Sequence, residues 1–169
     1  MANELSATAL IPERALLELT LRSAEQSDRS FEHVYILGTK YGIPPEILTP
    51  LEEVWEQTRK VAGEVVEIGK LIVNEILKFL EANRGMVVGM AIGAAVGALV
   101  ALVPFIGPIL APLTIALGTL YGAGVSTAIQ SGDRSGSPGT AALALARKFF
   151  ELFAAIVNAV ASKWSFEVA

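Results

Sequence analysis

The stretch GMVVGMAIGAAVGALV, residues 85–100, places a glycine at every fourth position. Gly85, Gly89, Gly93 and Gly97 therefore fall on one ridge of a helix, since residues four apart share a helical face. Glycine in a helix interior costs about 1 kcal/mol relative to alanine. Four glycines in one helix therefore need a favourable interaction that compensates for this loss of helix stability. The spacing predicts close packing of helices through small residues, which is how helices associate in lipid.

The segment around this row carries no charge. Between Arg84 and Asp133 lie 48 consecutive residues without Asp, Glu, Lys, Arg or His. A membrane-spanning helix needs about 20 apolar residues, so the segment is long enough for two spans and a turn. We therefore predict a hydrophobic transmembrane hairpin over residues 85–130, with its first helix over residues 85–103 and its return over residues 113–130.

Proline and glycine mark the tip of this hairpin, over residues 104–112. The tip residues are Pro104, Gly107, Pro108 and Pro112. Proline lacks a backbone N–H and clashes with the preceding helical turn, so the helix should break here.

The returning helix carries a second row of small residues and nearly all the polar side chains of the hairpin. The row is Thr114, Gly118, Gly122 and Ser126. The two rows either close the hairpin within one chain or face a neighbouring chain, which would make the protein a homo-oligomer. A polar side consists of Thr119, Ser126 and Gln130. These side chains either bond back to carbonyls of their own helix or line a water-filled path through a membrane.

The flanking segments favour helices. Apolar residues recur at helical spacing over residues 50–84, with Pro50 suited to the first helical position and Thr49 to the N-cap, so we predict one amphipathic helix running into the hairpin. Residues 131–139, SGDRSGSPG, have the composition of a linker. Residues 140–169 predict a C-terminal amphipathic helix, which either lies in the membrane interface or packs on the hairpin.

Residues 1–49 predict a small helical cap, with helices over residues 12–26 and 31–41, the second closed by Gly42. No stretch alternates with a period of two, so the predicted fold class is all-α.

Composition and charge argue against several classes of function. Of the 169 residues, 53% are hydrophobic and 18% are charged, which is more apolar than a typical soluble domain. The net charge of −4 argues against a nucleic-acid partner. The chain has no cysteine and one histidine, His33 beside Glu32, so it offers no metal-ligand or catalytic pattern. We expect no enzyme activity, metal or cofactor.

Two patterns bear on location. The N-terminus carries Glu4 before any apolar run, unlike a secretory signal, so synthesis in the cytosol is expected. Basic residues flank the hairpin on both sides and are absent from its tip, which predicts that both ends stay cytoplasmic. These residues are Lys70, Lys78, Arg84, Arg134, Arg147 and Lys148.

A long uncharged helical hairpin with a tight tip and amphipathic flanks resembles the membrane-inserting hairpin of colicin-type pore formers. The resemblance is architectural and covers residues 51–168. In that family a shell of amphipathic helices hides the hairpin in water, and the resemblance implies pore formation in a membrane. The four or so other helices expected in this chain are too few to cover the hairpin fully, so either partner chains shield it or it stays permanently in the membrane. The spacing of Pro104, Pro108 and Pro112 is also similar to the proline-rich tip of oleosin-type hairpins, which bury in a lipid monolayer.

The leading hypothesis is a membrane protein that oligomerises through its glycine row and forms a pore or permeabilises the bilayer. The alternative is a non-conducting anchor, scaffold or accessory subunit of a larger membrane complex, with residues 1–49 binding a protein partner. A third hypothesis is a soluble bundle in which the hairpin is buried between subunits.

Overall fold

A computed structural model of the chain describes residues 10–121 and 138–168, and within these residues the fold is mostly helical. The N-terminal half contains α1 (Pro12–Gln26), α2 (Phe31–Lys40), α3 (Pro45–Trp55), β1 (Arg59–Val61), β2 (Glu64–Val66) and α4 (Ile68–Ala82). The C-terminal half contains α5 (Val88–Leu102), the 3-10 turn Pro104–Ile106, α6 (Gly107–Tyr121), α7 (Pro138–Phe149), α8 (Glu151–Ala161) and β3 (Glu167–Val168).

Helix α5 lies at the centre of the structure. It packs against α4, α6, α7 and α8, and the outer helices α1 and α3 pack on these in turn. Every residue from 91 to 99 is buried. A helix that is apolar on all sides must be covered on all sides in water, and here the neighbouring helices provide the cover.

The covering helices other than α6 are amphipathic. On α4, the buried side includes Ile72, Ile76 and Phe79, whereas Lys78 lies at the surface. The ring of Phe79 packs against Phe150, at the junction of α7 and α8, with 5.6 Å between ring centroids. The apolar face of each covering helix therefore joins one continuous core around α5.

The predicted amphipathic helix over residues 50–84 is wrong as a single element. Helix α3 begins at Pro45, so Pro50 lies inside it rather than at its start. A β-hairpin of two three-residue strands then separates α3 from α4. The helical spacing of apolar residues continues through this hairpin, which is why the pattern concealed it.

The expectation of a fold without strands is corrected by this hairpin. Ala62 and Gly63 connect β1 to β2 with φ angles of 52° and 85°. Two consecutive positive φ angles are what a two-residue type I′ hairpin loop requires. Strand β3 pairs with the other side of β1, which gives a three-stranded antiparallel sheet in the order β2-β1-β3.

Three further boundaries differ from the sequence predictions. The first hairpin helix begins at Val88, and Gly85 lies in an exposed turn before it. The returning helix begins at Gly107 and contains Pro112. The helix predicted from residue 140 is divided at Phe150 into α7 and α8. Most of the predicted linker, residues 131–139, lies outside the described residues.

The N-terminal helices agree better with the sequence. Helices α1 and α2 occupy the predicted ranges, and Gly42 follows α2 with a φ of 89°, the left-handed conformation common at helix C-termini.

Polar contacts hold α1 in place at both ends. Lys70 Nζ donates to the carbonyl oxygens of Gln26, Ser27 and Arg29 at 3.4, 3.1 and 3.0 Å, which ties α4 to the C-terminal end of α1 and to the loop after it. At the other end, Lys163 donates a hydrogen bond to Glu13, which holds the pKa of that carboxyl below its ordinary value.

Gly69 allows α4 to approach the end of α3. Its N–H donates to the carbonyl of Gln57 at 2.9 Å. A Cβ added at Gly69 would lie 1.8 Å from the carbonyl oxygen of Val54. Only glycine fits at this contact, because the obstructing atom belongs to the backbone and cannot rotate away.

We expect Gly69→Ala to lower the free energy of unfolding by about 3 kcal/mol, because a clash with backbone forces α3 and α4 apart. The matched control is Gly85→Ala, since nothing lies within 4 Å of a Cβ at Gly85. Urea unfolding followed by circular dichroism measures both. Equal stability of the two variants would contradict this close contact.

Candidate functional site

The two hairpin helices, α5 and α6, are the candidate functional element. They are joined by the 3-10 turn Pro104–Ile106 and pack against each other. Neither contains a charged side chain or histidine. The two helices differ sharply in burial, and the burial of each helix determines what it can contact.

Helix α5 is enclosed. Its large side chains Ile92 and Leu99 are completely buried, as are Ala95 and Val96. At 15 residues it is an apolar helix of about 22 Å, shorter than the hydrocarbon core of a bilayer.

Helix α6 is less enclosed than α5, because α3 and α5 pack on one side of it and leave part of the other side exposed. Together with the 3-10 turn it forms an apolar segment, Pro104–Tyr121, of 18 residues with a mean hydropathy of 1.5 and 28% of it buried. Among the described residues, this is the one segment long and apolar enough to cross a membrane. Ile115 is 68% exposed on its outer side.

Gly89 marks the closest contact between the two helices. A Cβ at this position would lie 2.8 Å from Cε1 and Cζ of the Tyr121 ring. The glycine therefore provides the space in which the last side chain of α6 packs across the start of α5.

The members of the predicted small-residue rows differ in burial. Gly93 and Gly97 are buried in α5, while Thr114 and Gly118 are half-buried in α6 and Gly85 lies outside the helix. Gly122, Ser126 and Gln130 lie outside the described residues.

The C-terminal amphipathic region supplies a further helix that packs on α5. Helix α7 lies against α5 and contributes Ala142 and Ala146, both buried and four residues apart. This pair repeats the small-residue spacing of α5. The sequence left two positions open for this region, the membrane interface or the hairpin, and the structure has α7 on the hairpin helix α5. Sequence reasoning did not single out Ala142 and Ala146, although the ALALA stretch carries their spacing.

Two hydroxyl groups form hydrogen bonds within their own helix. One belongs to Thr114 in the second small-residue row, and the other to Thr119 on the predicted polar side. Thr114 Oγ1 donates to the carbonyl of Leu110 at 3.2 Å, and Thr119 Oγ1 donates to that of Ile115 at 3.0 Å. These bonds satisfy each hydroxyl locally, which lowers the cost of moving the helix into lipid.

The tip is held by the C-terminal part of the chain. Asn158 Nδ2, on α8, donates to the carbonyl of Leu102 at the end of α5, at 2.8 Å. The ring of Phe105 packs on Phe166 with 4.8 Å between centroids. The predicted tip residues Pro104 and Pro108 are exposed, whereas Gly107 and Pro112 are half-buried.

Elsewhere, a cleft of about 330 Å³ lies between α1, α4 and α8. Its charged side chains pair mainly with one another, as Arg22 with Glu18 at 2.9 Å and Lys78 with Glu75 at 3.4 Å. Over residues 10–121 and 138–168 no group of three or more His, Cys, Asp or Glu is placed to hold a metal ion.

Comparison with protein-family models, with curated proteins and with solved structures finds no match for this chain. Only the hairpin itself therefore bears on the function of this protein.

We expect Gly89→Ala to lower the free energy of unfolding by about 1 kcal/mol, because the new methyl group displaces the Tyr121 ring. In a Tyr121→Ala background the clash is gone, and alanine's better helix propensity, worth up to about 1 kcal/mol, should make the same change neutral or stabilising. A double-mutant cycle by urea unfolding measures this reversal. The same loss in both backgrounds would show that the ring is not what Gly89 accommodates.

Proposed function

We propose that this protein is a membrane-inserting protein that folds in water with its apolar hairpin helix inside a helical shell, and then transfers the hairpin into a bilayer. In the membrane it assembles into a homo-oligomer and forms a pore or otherwise permeabilises the bilayer. The observation that carries this proposal is the burial of residues 91–99 of the uncharged helix α5 among the neighbouring helices of its own chain.

The energetics of transfer support the proposal. Every backbone group in a helix interior is hydrogen-bonded internally, so α5 and α6 carry few unsatisfied groups into lipid. Neither helix would bury a charge. In lipid, moreover, α5 no longer needs the cover that water imposes, because its apolar surface faces apolar chains.

Assembly follows from the same transfer. In the folded bundle the glycine row of α5 is occupied by neighbouring helices of its own chain. Once the hairpin separates from that shell, the row of Gly89, Gly93 and Gly97 becomes available to another copy. The basic flanks, including Lys78 and Arg84, are expected to keep both ends on the cytoplasmic side.

A second candidate function is a non-conducting anchor or scaffold. It is favoured by the hydroxyls of Thr114 and Thr119, which bond within their helix and so do not line a water-filled path in this fold. In that case residues 1–49, with seven acidic and four basic residues, would serve to bind a protein partner of a larger membrane complex.

Dye release from liposomes distinguishes the two functions. Release that rises steeply with protein concentration supports an assembling pore. Tight membrane association without release supports the anchor. Absence of association with any liposome would contradict both.

We expect Gly118→Leu to abolish concentration-dependent release and membrane oligomers, because a large side chain on the small-residue row keeps helices apart. The matched control is Ala116→Leu, which adds a leucine on the opposite side of the same helix and should retain both activities. Circular dichroism confirms that each variant folds, and crosslinking in liposomes measures assembly. Oligomers that survive Gly118→Leu would contradict assembly through this row.

We also expect Asn158→Ala to accelerate release, because it removes the hydrogen bond that holds the end of α5 to α8. The matched control is Asn83→Ala, which removes a bond of 2.9 Å to the carbonyl of Phe79 within the end of α4. Each change should lower the free energy of unfolding by about 1 kcal/mol. Equal acceleration by both variants would attribute the effect to general destabilisation.

A further inference from the structure

The outer side of α6 is unusual for a helix that faces water. Its inward side is formed by Ile109, Leu110, Leu113 and Leu117, all buried against the rest of the fold. The opposite side carries Ile115, 68% exposed, with the exposed Pro108 and the half-buried Ala111 on the turns before it, and the 3-10 turn adds Phe105, 38% exposed. Both sides of the helix are therefore apolar, and one of them is solvated.

We infer that this outward side of α6, with Phe105 at its start, is the surface by which the folded protein first docks on a lipid bilayer. Docking would occur while α5 is still enclosed in its shell. This inference rests on the proposed membrane insertion and identifies which of the two hairpin helices makes the first contact.

Charge and length select lipid as the occupant. A docking site for a soluble protein has a polar rim around its apolar centre. No charged residue lies from Gly85 through Gln130, so α6 itself has no charged side chain that could form such a rim. Its 18 residues measure about 27 Å, close to the hydrocarbon thickness of about 30 Å. The same helix that docks on the surface is thus long enough to enter.

The difference in burial between α5 and α6 determines which helix reaches lipid first. Helix α5 can reach lipid only after the contacts with α4, α7 and α8 are broken, because residues 91–99 are buried among them. The outer side of α6 needs no such opening. Contact with lipid through α6 would come first, and separation of α5 from the shell would follow.

The test uses phosphatidylcholine vesicles, whose neutral surface removes any effect of net charge. Ile115→Glu places a carboxylate on the proposed surface, and it should weaken vesicle binding about tenfold or more, since a charge there resists burial. The matched control is Ile36→Glu on α2, because Ile36 is 61% exposed and also helical. It should bind within about twofold of the unchanged protein, since a surface substitution remote from the contact has little effect.

Equal weakening by the two variants, or unchanged binding by Ile115→Glu, would overturn the α6 surface while leaving membrane insertion standing. Failure of the unchanged protein to bind vesicles would overturn both. If the unchanged protein is dimeric without vesicles and Ile115→Glu makes it monomeric, the occupant is a second copy and the inference is wrong.

A separate measurement tests whether docking through α6 comes before release of the vesicle contents. Because the chain contains no cysteine, Ile115→Cys can be labelled at one position with an environment-sensitive dye. The fluorescence change that reports burial in lipid should precede release of dye from the vesicle interior. Release that precedes or coincides with the change at position 115 would contradict docking through α6.

Discussion

The fold depends on covering a helix that has no polar side. Because α5 is uncharged and apolar all round, water penalises exposure of any of its faces, and the chain places α4, α6, α7 and α8 against it. The small residues of α5 and α7 let these helices come close, and Phe79 and Phe150 fill the space beside them. The sheet and the polar contacts of α1 fasten the outer helices to that core.

The same constraint links structure to the proposed function. A helix that must be covered in water needs no cover in a bilayer, so one sequence supports two environments. In the proposed function, the helical shell would provide the first environment, and transfer of the hairpin out of that shell into a bilayer would provide the second. The contacts that hold α5 are mostly apolar and non-directional, whereas Asn158 makes a directed bond to the end of the hairpin. Helix α6, uncovered on one side, connects these two states.

The structure also changes how the glycine spacing is understood. Gly89 accommodates the ring of Tyr121, and Gly85 lies in an exposed turn, so the four glycines do not act alike. The spacing predicted close packing of helices through small residues, and Gly89, Gly93 and Gly97 are buried. It did not indicate which helices would cover α5, because α7, with Ala142 and Ala146, is distant in sequence and meets α5 only in the folded structure.

The sequence by itself determined the local elements whose signals are local: α1 and α2, the closing Gly42, the uncharged hairpin and its break near Pro104. It could not determine features that depend on contacts between distant segments. The β-hairpin at Ala62 and Gly63 follows a helical apolar pattern, and its strand pairing with residues 167–168 is non-local. The need for glycine at position 69 arises from a carbonyl on another helix. Burial of α5 and exposure of α6 were decided only by the tertiary structure, because two helices of similar composition differ there in how many neighbours cover them.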